Sequence, residues 1–398
     1  VSTYKIELWD KSLTPIADIT KLATDRKFTI GRNAAETLEF TLNLTAFERH
    51  CANVLGADPN IILEPLRTNA GLRRNGAYMF GTEIYDCSID DGQIKVSAHG
   101  YLNLTKDRYV YTTISTPTDL SQIARTFIDL TNTPGGVGDP GLSLAPNPYL
   151  TGVMRTGEYL DHNIKEGVVA LANTAGGSFD FYFTYGKQFV IVQHVGERRP
   201  DVAFYYGGPH ENCTFSGPRS GENVGNEIIA NGGTVGGLPL RSVKADYNSR
   251  LEYFTRTKLE QFPLVKTQAE LDAYAEDSLA ANKDLLKLPQ IKTTGKVIGS
   301  KFIQVGDRVP LYIENHPYLA GYAGLYRVEK LEVTLDANDF ESEIIVTLDN
   351  AGVFQNEVPG QILTPSTTRV SRLDRLPVND LVHRIKDQER IIREMRQS

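Results

Sequence analysis

The chain has 398 residues, of which 40% are apolar and 9% aromatic, and it carries a formal net charge of −7. Its length allows about two to four domains, each with a core of its own. The negative balance argues against a dedicated nucleic-acid binder, and no apolar run approaches the ~20 residues that span a bilayer.

Cys51, Cys87 and Cys213 are far apart and odd in number. They make neither a disulfide framework nor a C-x-x-C metal pair, so buried thiols in a protein assembled in a reducing cytoplasm are expected. Val1 to Asp10 already reads as a strand, and no signal peptide is expected there.

The N-terminal region reads as β. Tyr4, Ile6 and Leu8 alternate with polar residues, as do Leu38, Phe40, Leu42 and Leu44. Tyr78 to Tyr85 and Gln93 to Ser97 are two further strands, with Asp90-Asp91-Gly92 as a turn signal between them. Short strands at this density suggest a barrel or sandwich. A helix follows, with Thr116 as cap, Pro117 at its first position and Asp119 three residues after the cap. Leu120, Ile123, Ala124, Phe127 and Ile128 form its apolar face.

The Gly- and Pro-rich stretch Thr133 to Pro148 is loop. Ile164 to Thr174 reads as a second helix with Val168, Leu171 and Ala172 inward, ended by Gly176-Gly177. Phe179 to Phe183 and Gln188 to Gln193 form a hairpin around Tyr185-Gly186-Lys187. The third region is mostly β with one clear helix. Thr267 and Glu270 make its capping box, Leu271, Ala275 and Leu279 stack along it, and Pro289 closes it. Strands are predicted at Gln290 to Val297, Arg308 to Ile313, Leu325 to Leu335 and Glu343 to Leu348.

After a linker containing Pro, Thr and Ser, the tail carries a heptad pattern. Val378, Leu381, Ile385, Gln388, Ile392 and Met395 occupy a and d positions, with Arg384 and Glu389 at g and the following e. This predicts an oligomerisation coil; the alternative is a helix folded back on its own chain. Strand number is open. β-Branched residues at 378, 385 and 392 with Leu381 at d lean toward a dimer, whereas Val382, Ile391 and the core Gln388 suit a trimer.

No catalytic signature survives inspection, and no catalytic, cofactor or metal residue is assigned. Gly136-Val137-Gly138-Asp139-Pro140-Gly141 matches G-x-G-x-x-G, but it follows a helix and Pro140 prevents a helix from opening inside it. The histidines are scattered, and Asp161-His162 are chain neighbours that usually point apart. Asn43-Leu44-Thr45 and Asn103-Leu104-Thr105 are chance matches to the glycosylation pattern.

Tyr4-Lys5-Ile6-Glu7-Leu8-Trp9-Asp10 with Pro15-Ile16-Ala17-Asp18-Ile19 resembles the start of minor tail proteins of actinobacterial siphophages. Phe80-Gly81-Thr82-Glu83-Ile84 leading to Val96-Ser97-Ala98-His99-Gly100-Tyr101-Leu102, then Arg108, continues the likeness. So do Ala245-Asp246-Tyr247-Asn248-Ser249, the helix from Glu270, Val305-Gly306-Asp307-Arg308-Val309 and Gly324-Leu325-Tyr326-Arg327-Val328. In this order the motifs are similar to the siphophage tail hub, or tail-associated, family. That family shares its fold with contractile-phage baseplate hubs and the spike base of type VI secretion.

The resemblance implies a mainly β fold with α+β insertions, in which two related β-barrel domains form a trimeric ring and a C-terminal coiled-coil helix follows. The expected division is a first hub barrel at 1–110, α+β middle domains at 111–202, a second hub barrel at 203–352, a linker at 353–377 and the coil at 378–398. It further implies a homotrimeric tail-tip adaptor, assembled in the host cytoplasm and carried in the virion. Its partners would be the hexameric distal tail protein ring, the tape measure protein and a central fibre or spike. Phage DNA would pass through the channel during ejection without specific binding. Competing readings are a tail-tip cell-wall hydrolase, which needs a compact acid- and His-bearing domain, and a receptor-binding module, which needs exposed Trp. The chain has only Trp9. A distal tail protein is a further alternative; it should lack the 267–286 helix and the heptads.

Overall fold

The computed structural model describes residues 2–350 apart from 133–137, 175–176, 218–220, 222–223, 263–264, 266, 284–288 and 299–301. The linker and the heptad positions Val378, Leu381, Ile385, Gln388, Ile392 and Met395 lie outside the described residues.

Among the described residues, thirteen strands form one sheet. At one end Tyr4–Trp9 pairs with Pro15–Asp18 and with Asn69–Arg74. Tyr4, Ile6 and Leu8 are buried, while Lys5 is exposed and Glu7 half-buried, the alternation a pleat requires; Trp9, past a register shift, is buried as well. The meander continues through Ala77–Asp90 and Gln93–Gly100 to Thr37–Asn43 and Ala23–Gly31. Ala23–Gly31 then pairs antiparallel with Gly324–Leu335, with Leu331 opposite Ile30 and Val333 opposite Phe28. Beyond it come Glu341–Asn350, Gln290–Thr293 and Thr214–Ser216. Arg308–Ile313 pairs with the start of Gly324–Leu335 and, in parallel, with Phe204–Tyr206.

This arrangement corrects the expectation of two closed barrels. Neither the first nor the third region closes on itself among the described residues. The strands 23–31 and 324–335, which such closure would require, hydrogen-bond each other instead, and one apolar core draws Phe28, Phe40, Leu331 and Val346 from both. The mainly β character with α+β parts holds.

The middle region has its own core, in which Ile123, Phe127, Val168 and Phe189 pack together. Two helices, Leu120–Asp129 and Ile164–Ala172, lie against the hairpin Asp180–Phe183/Gln188–Val192. The first begins later than predicted. Pro117 belongs to the strand Tyr109–Asp119, and Asp119 itself is the cap. Its carboxylate accepts from the Ser121 N–H at 2.9 Å and from the Thr151 and Gly152 N–H groups. A carboxylate satisfied by so many donors outcompetes the Thr116 hydroxyl as a cap.

A third, smaller unit consists of Glu227–Val235 flanked by Leu238–Ala245 and Thr257–Phe262, covered on one face by the helix Gln268–Asn282. Thr267 caps that helix as predicted, accepting from Glu270 N–H at 3.3 Å. Two other boundaries differ from expectation. Leu44 opens a helix, Leu44–His50, because Asn43 accepts from Ala46 N–H at 3.0 Å and so caps it. The strand from Gln290 stops at Thr293, and Gly295–Ile298 is helical. At Gly295 a Cβ would stand 2.4 Å from Glu341 Oε2, so a larger residue there would have to displace the carboxylate that pairs with Arg74.

The three chain regions meet at a buried charge cluster. Asp180, from the middle hairpin, pairs with Arg327 of the third region and, at 3.4 Å, with Arg32 of the first. Arg32 also holds Glu329 at 2.6 Å, and Val195 N–H donates to Asp180 at 2.7 Å. The segment Val305-Gly306-Asp307-Arg308 is locked beside it. Gly306 has φ +91, and a Cβ there would lie 2.3 Å from Val195 O. The Asp307 carboxylate accepts from Glu197 N–H and Gln304 N–H, both at 2.8 Å, and pairs with Arg199 at 3.3 Å.

Candidate assembly surfaces

No group of three or more His, Cys, Asp or Glu placed to hold a metal occurs among the described residues. Cys51 and Cys213 are buried and Cys87 is half-buried. Burial pushes the Cys87 and Cys213 thiols up to about 11, so neither is a ready nucleophile near neutrality. Asp161 and His162 point apart: Asp161 accepts from the Tyr111 hydroxyl at 3.5 Å, while His162 packs edge-on to the Tyr159 ring. The described part of the glycine-rich match is loop, with Gly138 and Gly141 at φ +80 and +71. Trp9 is 2% exposed and packs edge-on to Tyr78, so it offers no open face for sugar stacking.

Two elements instead expose apolar surface. The first is the two-stranded ribbon of Tyr109–Asp119 and Met154–Asn163. Its inner face is anchored. Tyr159 meets Phe127 edge-on at 5.0 Å, and the Arg155 guanidinium lies over the Tyr274 ring at 5.1 Å. Its outer face carries Tyr111 opposite Leu160, with Tyr109 and Met154 also exposed. The inner face is apolar as well, through Val110, Ile114 and Tyr159, so the ribbon carries large apolar groups on both faces.

The second is the open face of the small sheet. Ile228 and Ala230 point toward the helix Gln268–Asn282 and are fully buried. Ile229 points the other way, aligned with Val243 on one side and Leu259 on the other. Val243 and Leu259 are exposed and Ile229 is half-buried, so an apolar row crosses three strands and is left largely uncovered by the described residues. The two flanking strands pair only with the central one, which leaves both sheet edges open among the described residues. Nearby in the chain, Phe254 follows the helix Tyr247–Tyr253 with φ +58 and is 81% exposed. A bulky residue held in the left-handed region and pointing into water costs free energy twice, through strain and through lost burial. Exposed apolar surface of this kind marks interaction sites.

The sequence reading missed both surfaces. The signal was there in Ile228-Ile229-Ala230, where apolar residues occupy consecutive strand positions and so point to both faces. The predicted coil residues, outside the described residues, have no position to compare with these surfaces.

No family model matches the chain, and no curated protein matches it. Solved structures do. A tail protein from Neisseria meningitidis MC58 superposes with a TM-score of 0.57 at 12% identity, over 88% of this chain and 97% of that one. The prophage MuSo2 43 kDa tail protein from Shewanella oneidensis gives 0.57 at 14% identity, over 87% and 98%. Prophage tail protein gp18 from Listeria monocytogenes EGD-e gives 0.54 at 12% identity, over 87% and 94%. Sheet, middle region and small unit together therefore make up the fold of phage tail proteins.

Proposed function

We propose that this chain is a structural tail-tip hub of a long-tailed bacteriophage. In this reading it is a homotrimeric adaptor that joins the distal tail ring to a central fibre and surrounds the DNA channel, without enzymatic activity of its own. The observation that carries the reading is the co-extensive likeness to three tail proteins, which leaves 6% or less of any of them outside the match. The exposed apolar ribbon and sheet face support an obligate assembly, since a monomer in water gains nothing by displaying them. Residues 378–398 would continue the trimer axis as a coil docking the fibre.

Native mass measurement of the purified chain, together with immunogold labelling of virions, tests the proposal. A trimer and label at the tail tip are expected. A monomer at micromolar concentration, or label spread along the tail shaft, would remove it. Clearing of host cell wall by the purified chain would favour the hydrolase instead.

A further inference from the structure

Where the first region meets the middle one, a cleft of about 460 Å³ opens to solvent. Ala34, Ala35, Leu102 and Val169 give it an apolar floor. Its polar lining is different in kind: His99, Lys106 and Lys165 stand around it with Asn103, and no carboxylate lines it among the described residues. These groups come from separate elements. His99 ends the strand Gln93–Gly100, Asn103 lies in the short helical turn Tyr101–Thr105, and Lys165 is on the helix Ile164–Ala172.

The lysines are held, and neither forms an ion pair with a carboxylate among the described residues. Lys165 Nζ reaches Asn103 Oδ1 at 3.4 Å, and Lys106 Nζ lies 5.5 Å from the centre of the Tyr85 ring. Tyr85 in turn packs edge-on to His99 at 5.2 Å. Neither contact cancels a positive charge. The His99 imidazole feels the consequence: burial, then Lys165 and Lys106, push its pKa below the usual value, against a weaker opposing pull from Glu39 on the strand Thr37–Asn43. An anion placed between these groups removes that repulsion.

We propose that this cleft receives an acidic peptide segment of a partner protein in the tail, a Glu- or Asp-bearing stretch whose carboxylates meet Lys106 and Lys165 while its aliphatic stems lie on Ala35 and Val169. The proposal rests on the assembly reading above and specifies the chemistry of one contact. A peptide suits the site better than a nucleic acid does. Nucleic-acid tracks need rows of cations along a phosphate backbone and flat aromatic platforms. Here two lysines border an apolar floor, and no Phe, Tyr or Trp lines the cleft among the described residues. A carboxylate with an apolar stem matches both halves of the cleft.

The probe is fluorescein-labelled hexaglutamate, titrated by anisotropy against the full chain at low salt, beside labelled oligothymidylate of equal charge. Lys106→Ala combined with Lys165→Ala should weaken peptide binding about tenfold or more, and a control pair, Lys5→Ala with Lys21→Ala, should leave it unchanged. Both of those control lysines are exposed and far from the cleft in sequence. On the wild type, peptide should also raise the His99 titration midpoint followed by proton NMR. No binding, equal loss in both pairs, an unmoved His99, or tighter binding of oligothymidylate each overturns the proposal. The hub reading fails separately. Peptide binding with label on the tail shaft keeps the cleft and removes the hub; label at the tip without peptide binding does the reverse.

Discussion

The thirteen-stranded sheet and the small sheet centred on Glu227–Val235 are built from similar residues, yet they stand differently in the molecule. The large sheet gathers its core from both ends of the described chain, with Tyr4, Phe28, Phe40, Leu331 and Val346 all 2% exposed or less. The apolar core of the small unit has five buried residues among the described ones, Ile228 and Ala230 from the sheet with Val265, Leu271 and Ala275 over them, and the sheet's other face is left open. Hydrophobic stabilisation scales with the apolar area removed from water. One buried face is enough to set a sheet's register, but a sheet whose other side is bare and apolar still gains when something covers it. The contrast separates a scaffold from a surface awaiting its partner.

The sharpest way to break the comparison is a matched pair of cavities. Phe28 sits against Tyr4 at 5.9 Å and Phe80 at 6.0 Å between ring centroids. Phe28→Ala should cost about 3–5 kcal/mol and move the main unfolding transition. Leu271→Ala removes a similarly buried side chain and should cost about 2–5 kcal/mol, but locally. Hydrogen exchange should show lost protection over residues 227–282 with the main transition in place. If both variants shift one shared transition equally, the two sheets form a single cooperative unit and the contrast is void.

A second test addresses what joins the regions. Arg327→Met strips Asp180 of its closest partner and leaves it, 1% exposed, with Arg32 at 3.4 Å. Breaking a buried pair from one side costs about 3–5 kcal/mol, and the remaining Arg32 should hold the loss near 3. Adding Asp180→Asn should recover part of it by removing the uncompensated charge. Urea denaturation midpoints of the single and double variants measure this. A double variant less stable than the single one would mean that Asp180 acts there through packing rather than charge.

Phe254 sharpens the comparison from the other side. Phe254→Gly relieves a φ of +58 at a residue that is 81% exposed, and should raise the stability of the small unit by about 1 kcal/mol. If the ring also contacts a neighbour in the assembly, the same variant should weaken oligomerisation in sedimentation experiments. A gain in stability with unchanged assembly would leave Phe254 as strain without a role there.

What was legible in the sequence follows from how local its cause is. The face Leu120, Ile123, Ala124, Phe127, Ile128 is fully buried as its spacing predicts, and Thr267 caps its helix, because both effects act within one or two turns. Arg308–Ile313 was bounded correctly for the same reason, between the Gly306 turn and the polar residues that follow. The caps at Asn43 and Asp119 were missed. Asn43 hides in an alternating run, and Asp119 is chosen partly by Thr151 and Gly152, more than thirty residues away. The pairing of Ala23–Gly31 with Gly324–Leu335 joins segments about three hundred residues apart; no local pattern encodes which edge meets which. The basic cleft was illegible for that reason too, since His99 and Lys165 converge only once the middle helix docks.

The smallest expected effect is a pH dependence confined to the small unit. Asp277, on the helix Gln268–Asn282, faces Arg155 of the ribbon at 3.8 Å, beyond hydrogen-bond reach, and its buried Oδ2 has no hydrogen-bond partner. Burial pushes its carboxyl up to about 6; Arg155 pulls the other way and Glu276 adds to the rise. A carboxyl that holds its proton more tightly folded than unfolded stabilises the fold fully below its ordinary pKa near 4, and that contribution is lost as pH rises through about 6. Protection of residues 268–282, corrected for intrinsic exchange, should therefore fall between pH 4 and 7, and Asp277→Asn should flatten the fall. Glu36, buried beside the large sheet and pushed up to about 7, supplies the counterpart there. Glu36→Gln should flatten the dependence of the main transition and leave the small unit's slope alone. If Asp277→Asn instead flattens the main transition, the ribbon contact couples the two regions, and the small sheet belongs to the scaffold after all.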